Sequence, residues 1–237
     1  MSLAIIIPAY KESDNIKNLI KAILKEVGDP TIFIIDDSPN KNTEKEIESF
    51  KEVIYIYRGK KLGRGSAVIR GMKEILSRGG FNNVIEMDAD LSHDPNEIPN
   101  NLRMFEDKKI DLLISSRYLR GSKILNWGIQ RRIFSKLANF LARTVLKVPV
   151  TDYTNGFRIY SMESVKQVVK NCGKIGDGFI ILSEILVELY FNNFKVMEVQ
   201  SIFRNRIRGE SSVTYKEIYK SLIGLIKIYN KKREIKK

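Results

Sequence analysis

Short runs rich in isoleucine and valine alternate with amphipathic helical patterns through the first half of the chain. The strand-like runs are Leu3–Ile7, Thr31–Ile35, Val53–Tyr57, Val84–Met87 and Asp111–Ser115. The helical patterns between them are Asp14–Val27, Thr43–Lys51, Arg64–Ser77 and Pro95–Glu106. Such runs are typical of strands that are buried on both faces. Their alternation with helices predicts an α/β fold with a mostly parallel, Rossmann-like sheet and helices on both faces.

The second half of the chain is less regular. Gln130–Val148 and Thr214–Asn230 are predicted as amphipathic helices, Phe179–Phe191 as a core helix and Val196–Phe203 as a strand. The tail Lys231–Lys237 is almost entirely charged, so we expect it to fray. The pattern predicts one catalytic domain over residues 1–212. A basic amphipathic helix and charged tail over 213–237 would follow it without forming a separate domain.

The charge of the chain is unevenly distributed. Residues 1–114 carry 17 Lys and Arg against 19 Asp and Glu, whereas residues 115–237 carry 24 against 9. The second half therefore suits nucleic acid, anionic lipid or phosphorylated substrates, although a solvated Lys-rich surface would look the same.

The single cysteine, Cys172, excludes an internal disulfide. Met1–Pro8 lacks the features of a signal peptide, and no stretch has the roughly 20 apolar residues of a membrane span. These features predict a cytoplasmic protein.

Acidic and polar residues follow three of the predicted strands. They occupy 8–12 (PAYKE), 36–38 (DDS) and 88–90 (DAD). The carboxyl ends of parallel strands meet at one edge of the sheet, where ligands bind. Carboxylates gathered there repel one another unless a cation compensates. Mg²⁺ or Mn²⁺ shared with a diphosphate would do so, because both ions prefer oxygen ligands. An acidic pair that simply caps the next helix is the alternative.

Five motifs, in order, resemble those of glycosyltransferase family 2, which has the GT-A fold. They are PAYKESDN at 8–15, KLGRGSA at 61–67, DADLSHDP at 88–95, SRY at 116–118 and DYTNGFR at 152–158. The resemblance spans about residues 3 to 212 and is greatest to the dolichol-phosphate mannose synthases. It implies a single GT-A-type domain with C-terminal amphipathic helices. The implied activity is inverting transfer of a hexose, mannose from GDP-mannose, onto dolichyl or polyprenyl phosphate with Mg²⁺ or Mn²⁺.

The resemblance also assigns residues. Implied donor-binding residues are Pro8, Tyr10, Glu12, Asp37, Asp88, Ala89, Arg117 and Arg206. Implied metal ligands are Asp88, Asp90 and Ser92. Implied catalytic residues are Asp90, Asp152, Arg117 and Arg131. A guanidinium group matches the geometry of a phosphate, and a phosphate acceptor is anionic near neutral pH and needs little help from a base. Asp152 would be the base if the acceptor were a sugar hydroxyl.

The chain departs from the family pattern at three places. The loop Asp36–Asn40 is one residue shorter than usual, and Lys11 stands where Asn is common. Ser212 stands where relatives often carry Lys, which leaves Arg208 or Arg204 as a substitute phosphate contact.

Several residues near the motifs allow two interpretations. His93 packs or caps locally, or acts as a base. Trp127 and Tyr118 are core residues or stack on substrate. Gly63 and Gly65 cradle a phosphate or permit close backbone packing.

The implied partners are a nucleotide-sugar donor, a polyprenyl-phosphate acceptor and a membrane surface, and no nucleic acid. The two amphipathic helices would place the enzyme peripherally on the cytoplasmic face of a membrane, unless they only cover the sheet. A separate membrane-anchoring subunit stays open. The rival functions are a UDP-glucose-dependent polyprenyl-phosphate glucosyltransferase, a saccharide-directed transferase and a nucleic-acid-binding module. The last lacks a recognition motif, and acidic strand ends would repel a phosphate backbone.

Overall fold

A computed structural model describes residues 2–205 and 215–235 of the chain. The strands are β1 Leu3–Ala9, β2 Thr31–Asp36, β3 Val53–Tyr57, β4 Asn83–Glu86, β5 Leu112–Ser116, β6 Lys123–Leu125, β7 Arg158–Ser161, β8 Val196–Gln200 and β9 Ile202–Arg204. The helices are α1 Ser13–Val27, α2 Asn42–Ile47, α3 Arg64–Arg78, α4 Ile98–Asp107, α5 Ile129–Leu146, α6 Met162–Asn171, α7 Ile180–Phe191 and α8 Tyr215–Ile235. A short 3-10 turn, Pro95–Glu97, leads into α4.

Seven of the strands form one sheet, in the order β3-β2-β1-β4-β7-β5-β8. All neighbouring pairs are parallel except those of β7, which runs antiparallel to both β4 and β5. The carboxyl ends of the parallel strands and the start of β7 therefore share one edge. This arrangement confirms the predicted mostly parallel α/β sheet and brings the loop before β7 to the edge where ligands bind.

Side chains alternate between the two faces of the sheet and build a core on each side. Ala4 and Ile6 belong to one buried cluster, while Ile5 and Ile7 belong to the other. Both faces of β1 are covered by helices, which explains why its sequence is continuously apolar rather than alternating. In α1 the apolar positions 16, 19, 20 and 23 are all fully buried, so its helical periodicity turns a single stripe toward the sheet.

The C-terminal helix packs against the domain and is longer than predicted. α8 contacts α7 and α5 and continues to Ile235. The Nζ atom of Lys231 lies 3.3 Å from Glu184 and 3.0 Å from Glu188, two buried carboxylates on α7. The tail was predicted to fray from Lys231, but residues 231–235 are helical, because these ion pairs hold the helix on the core. The prediction was therefore wrong for those five residues.

Other element predictions were correct in type but not always in extent. The predicted strand Val196–Phe203 is divided into β8 and β9, and β9 pairs with β6 in a separate two-stranded sheet. The helix predicted over Thr43–Lys51 ends at Ile47. Three elements, β6, β7 and α6, were not predicted at all. Within the described parts of the chain, no helix combines the length and the apolar character needed to span a bilayer.

Candidate active site

The loops after β1 and β2 are bonded to each other at the carboxyl edge of the sheet. The amide of Asp37 donates to the carbonyl of Ala9 at 2.9 Å, and the amide of Lys11 donates to Ser38 Oγ at 2.8 Å. Tyr10 is exposed there, with the Nζ atoms of Lys61 and Lys11 at 4.7 and 5.6 Å from its ring centroid. The structure thus brings together the first two acidic and polar clusters predicted from the sequence.

Asp37 holds the loop that precedes α3. Its Oδ1 accepts a hydrogen bond from Nε of Arg58 at 2.5 Å, and its Oδ2 accepts from the amides of Leu62 and Gly63 at 2.8 and 2.9 Å. The side chain is 3% exposed. In this arrangement Asp37 shapes the loop beside the pocket, and its implied donor-binding role stays a prediction.

The third acidic cluster forms a tight turn after β4. Leu91 adopts a positive φ of 59°, and the amide of Ser92 donates to Asp90 Oδ1 at 3.1 Å. Asp90 and Ser92 are buried, whereas the side chain of Asp88 is 24% exposed. Ser92 Oγ is buried and has no hydrogen-bond partner among the residues described. A buried hydroxyl without a hydrogen-bond partner destabilises the folded protein unless a ligand supplies that partner.

Arg64, the first residue of α3, connects this turn to the interior of the sheet. Its Nε donates to Asp88 Oδ1 at 2.8 Å, and its Nη1 donates to Glu86 Oε1 at 2.6 Å. Burial alone would lower the pKa of the Arg64 guanidinium, but the carboxylates of Asp88 and Glu86 outweigh burial and raise that pKa above its ordinary value. Asp88 is thus already paired with a cation of the chain itself.

His93 is a packing and positioning residue. Its Nδ1 accepts the amide hydrogen of Asp88 at 3.1 Å, so the ring proton lies on Nε2, which faces Asn155 Oδ1 at 2.9 Å. The ring stacks on Phe157, with centroids 5.4 Å apart. Burial lowers the pKa of His93 and outweighs the nearby carboxylates of Asp88 and Asp90, which keeps the imidazole neutral. The structure supports local packing rather than a base.

Arg117 and Asp152 form a buried bidentate ion pair at the end of β5. Nε and Nη2 of Arg117 donate to the two carboxylate oxygens at 2.7 and 2.8 Å, and the amides of Thr154 and Asn155 also donate to Asp152 Oδ1. Burial alone would raise the pKa of Asp152, but Arg117 outweighs burial and lowers it. Asp152 has no exposed surface. In this arrangement the Asp152 carboxylate orients Arg117, and its role as a base for a hydroxyl acceptor stays a prediction.

Trp127 brings the second predicted arginine close to the first. The Cζ atom of Arg131 lies 4.1 Å from the Trp127 ring centroid, and that of Arg117 lies 5.5 Å from it. Nη1 of Arg131 donates to Asn205 Oδ1 at 2.9 Å. The indole is buried against Phe203, and its Nε1 has no partner within the described residues. Trp127 is thus a core residue, and the guanidinium groups of Arg117 and Arg131 both lie against its ring.

The remaining predicted residues are distributed as follows. Pro8 and Glu12 lie at the end of β1 and at the start of α1, where Glu12 accepts a hydrogen bond from Asn15. Ala89 is buried between the two aspartates of its turn. Arg204 pairs with Asp94 at 3.4 Å. Arg206, Arg208 and Ser212 lie outside the described residues.

Two glycines of the motif KLGRGSA pack closely against the loop before α7. A Cβ atom at Gly63 would lie 2.5 Å from the carbonyl oxygen of Asp177, and one at Gly65 would lie 2.8 Å from that of Gly178. The amide of Gly65 donates to the Asp177 carbonyl at 2.6 Å. The close-packing interpretation of these glycines is the one that the structure supports.

Sequence reasoning missed three residues of this region. Arg64 was noticed only as part of a motif, Glu86 lies inside a run that we treated as apolar, and Asn155 joins His93 to the Asp152 loop. A charged residue within an otherwise apolar strand is the signal that could have identified Glu86, since a buried carboxylate requires a partner.

Comparison with known proteins adds independent information. The model of a family described as "Glycosyl transferase family 2" matches residues 4–169. A dolichol-phosphate mannosyltransferase of Pyrococcus furiosus is 36% identical over 99% of this chain, which spans 66% of that protein. A polyprenol monophosphomannose synthase of Mycolicibacterium smegmatis is 30% identical over 92% of this chain and 83% of its own length.

Solved structures also resemble this chain. Glucosyl-3-phosphoglycerate synthase of Mycobacterium tuberculosis, crystallised with Mn²⁺, UDP-glucose and phosphoglyceric acid, superposes with a TM-score of 0.69. The superposition covers 97% of this chain and 80% of that one, at 16% identity. At this identity the likeness establishes a shared fold, which agrees with the GT-A-type architecture expected from the sequence.

Proposed function

Because the chain belongs to glycosyltransferase family 2, we propose that it transfers mannose from GDP-mannose to a polyprenyl phosphate. The observation that carries this proposal is the arrangement at one sheet edge: an acidic turn with an incompletely bonded hydroxyl, beside two guanidinium groups on one indole ring. The first suits a nucleoside diphosphate with a cation, and the second suits a phosphate acceptor.

The turn after β4 fits a divalent cation. Asp88, Asp90 and Ser92 offer only oxygen ligands, and the buried Ser92 Oγ lacks a partner among the described residues, as expected of a group that binds a cation. Two carboxylates and one hydroxyl leave coordination positions for diphosphate oxygens and water. Bound Mg²⁺ or Mn²⁺ would offset the negative charge that grows on the leaving nucleoside diphosphate.

The side chains of the protein do the rest. Tyr10 offers an exposed ring for the base, with Lys11 and Lys61 beside it. Nε and Nη2 of Arg117 donate hydrogen bonds to Asp152 and Thr154, whereas Nη1 donates to neither. We propose that Nη1 of Arg117 and the guanidinium group of Arg131 bind the phosphate of the acceptor. These cations offset the repulsion between acceptor and donor phosphates and hold them in line for inversion at the anomeric carbon. The acceptor oxygen is already anionic, so no base is required.

Exposed apolar side chains on α5 and α8 support a membrane-bound acceptor. On α5 they are Ile129, Ile133, Phe134, Leu137, Phe140 and Leu141, and on α8 they are Leu222, Ile223, Ile226 and Tyr229. A groove of about 390 Å³ between the two helices is lined by Val145, Ile226 and Tyr229. Arg131 lies near the start of α5, so a lipid phosphate held there would have its chain beside this apolar surface. We propose that this surface lies on the cytoplasmic face of a membrane.

Nucleotide binding tests the donor assignment. With Mn²⁺ present, we expect calorimetry to show GDP-mannose binding at least about tenfold more tightly than UDP-glucose, because a purine stacks over more of an exposed aromatic ring than a pyrimidine does. The same preference should hold for GDP over UDP in competition. Tighter binding of UDP than of GDP would replace the mannosyl proposal by the glucosyl alternative.

Vesicle sedimentation tests the membrane surface. We expect the protein to sediment with anionic vesicles and to be released only in part by salt. Each nearby Lys or Arg contributes roughly 1 kcal/mol within a screening length of about 10 Å, while apolar contacts resist salt. Changing Ile133, Leu137 and Phe140 to Ser should remove the salt-resistant fraction.

The matched control changes three basic residues of the same helix, Arg132, Lys136 and Arg143, to Gln, which should remove the salt-sensitive fraction instead. Ile133, Leu137 and Phe140 are 62%, 60% and 68% exposed, so their replacement should leave the melting temperature unchanged. A parent protein that never sediments would point to a soluble acceptor.

A further inference from the structure

Arg64 occupies a defined place between two carboxylates of the candidate metal site. Besides the hydrogen bonds from Nε to Asp88 and from Nη1 to Glu86, its Nη2 atom lies 2.8 Å from Asp88 Oδ1. Its side chain is 10% exposed. The guanidinium group therefore makes its ion pairs away from bulk water, where they are screened little.

The surroundings of Arg64 are shaped to the guanidinium group. The Phe179 ring centroid lies 5.4 Å from its Cζ atom, and a Cβ atom at Gly156 would overlap Nη2. Glu86, which has no exposed surface, also accepts a hydrogen bond from the hydroxyl of Tyr160 at 2.6 Å. Glu86 thus anchors Arg64 from the strand below, whereas the other carboxylate partner of Arg64, Asp88, is partly exposed.

The contact with Asp88 has a direct consequence for metal binding. A carboxylate oxygen that accepts one guanidinium hydrogen bond and lies 2.8 Å from a second guanidinium nitrogen presents less negative charge to an incoming cation. The positive charge of Arg64 also repels that cation at short range. Asp88 is also the more exposed aspartate of the turn, so it is the ligand that an ion from solvent meets first.

We propose that Arg64 is a counter-cation within the metal site and competes with the divalent cation for Asp88. This inference rests on the metal site of the proposed function. Binding of the metal and the Arg64–Asp88 contact then weaken each other by the same factor, as linkage requires. The cation alone binds weakly, and it binds well with a nucleoside diphosphate, whose charge compensates Arg64. The diphosphate and the metal therefore enter together, and the metal is released once the diphosphate leaves.

Mn²⁺ titration without nucleotide tests this competition, with free Mn²⁺ followed by electron paramagnetic resonance. The main variant is Arg64→Met combined with Glu86→Gln, which removes the competitor without leaving a buried unpaired carboxylate. We expect it to bind Mn²⁺ at least about tenfold more tightly than the parent protein. Arg64→Lys, which retains the charge, should stay close to the parent. Arg70→Met, which removes an exposed charge from the same helix, is the matched control and should change nothing.

Thermal unfolding provides a second readout. In EDTA the double variant should melt below the parent, and Mn²⁺ should raise its melting temperature by more than it raises that of the parent. Equal or weaker Mn²⁺ binding by the double variant would overturn the proposal. Arg64→Gln alone, which carries no charge and can still donate a hydrogen bond to Glu86, is the second variant; it should also bind Mn²⁺ more tightly than the parent, and no gain in its affinity would overturn the proposal. A parent that binds no Mn²⁺ even with GDP would instead refute the metal site of the proposed function.

Discussion

Replacing Asp90 by Asn is expected to lower kcat/KM for glycosyl transfer by at least about 10³-fold, equivalent to roughly 4 kcal/mol of transition-state stabilisation. Asp90 is buried in the turn beside the incompletely bonded Ser92 Oγ, so its carboxylate is placed to bind a cation together with that hydroxyl. Without its charge, neither the metal nor the diphosphate is held in place. The readouts are transfer of radiolabelled sugar and Mn²⁺ affinity.

The fold should survive this change. Asn retains the oxygen that accepts the hydrogen bond from the Ser92 amide, so circular dichroism and melting temperature should match those of the parent. Asp94→Asn is the matched control, because it removes one charge four positions away and Asn can still accept the hydrogen bond from the Asn96 amide. Full transfer by the Asp90 variant, or by the parent in EDTA, would contradict the metal assignment.

Replacing Arg117 by Met is expected to lower kcat/KM by about 10²–10³-fold, the usual effect of removing one donor to a phosphate or oxyanion. Arg117→Lys should lose nearly as much, because an ammonium group cannot bond both oxygens of Asp152 and a substrate phosphate together. The exposed Arg120 provides the matched control, and Arg120→Met should retain parental activity.

Stability has to be separated from function at this position. Arg117→Met leaves Asp152 buried without its cation, which typically destabilises a protein by about 3–5 kcal/mol. Adding Asp152→Asn removes that buried charge and should restore much of the stability without restoring transfer. If the double variant recovers both, Arg117 serves only the fold, and the acceptor phosphate is bound elsewhere.

The strands and the site edge were predictable because their signals are local. A buried parallel strand is a short run of isoleucine and valine, and polar residues directly after it mark the carboxyl edge of the sheet. The structure places Tyr10, Asp37, Asp90 and Arg117 along this edge, at the ends of β1, β2, β4 and β5. The apolar helix α7 was recognised for the same reason, since nine of its residues are buried.

The missed features depend on contacts between distant parts of the chain. β7 is four residues long and begins with the buried Arg158. Its guanidinium group donates hydrogen bonds to the backbone carbonyls of residues 153, 155 and 182. No periodicity in four residues predicts that environment. The partners of Asp37 and Asp152 were hidden in the same way. Both aspartates were expected to contact substrate, and no sequence pattern predicts that each is also held by an arginine of the chain, Arg58 and Arg117.

The chemical product is the most direct test of the proposed function. The purified protein is incubated with GDP-mannose, Mn²⁺ and a short-chain polyprenyl phosphate, and the lipid fraction is analysed by mass spectrometry and by the anomeric configuration of its sugar. The proposal predicts a mannosyl-phosphoryl-polyprenol of inverted configuration, which is absent in EDTA and absent when the polyprenol lacks its phosphate. A product formed only from UDP-glucose, or only on a soluble saccharide, would contradict it.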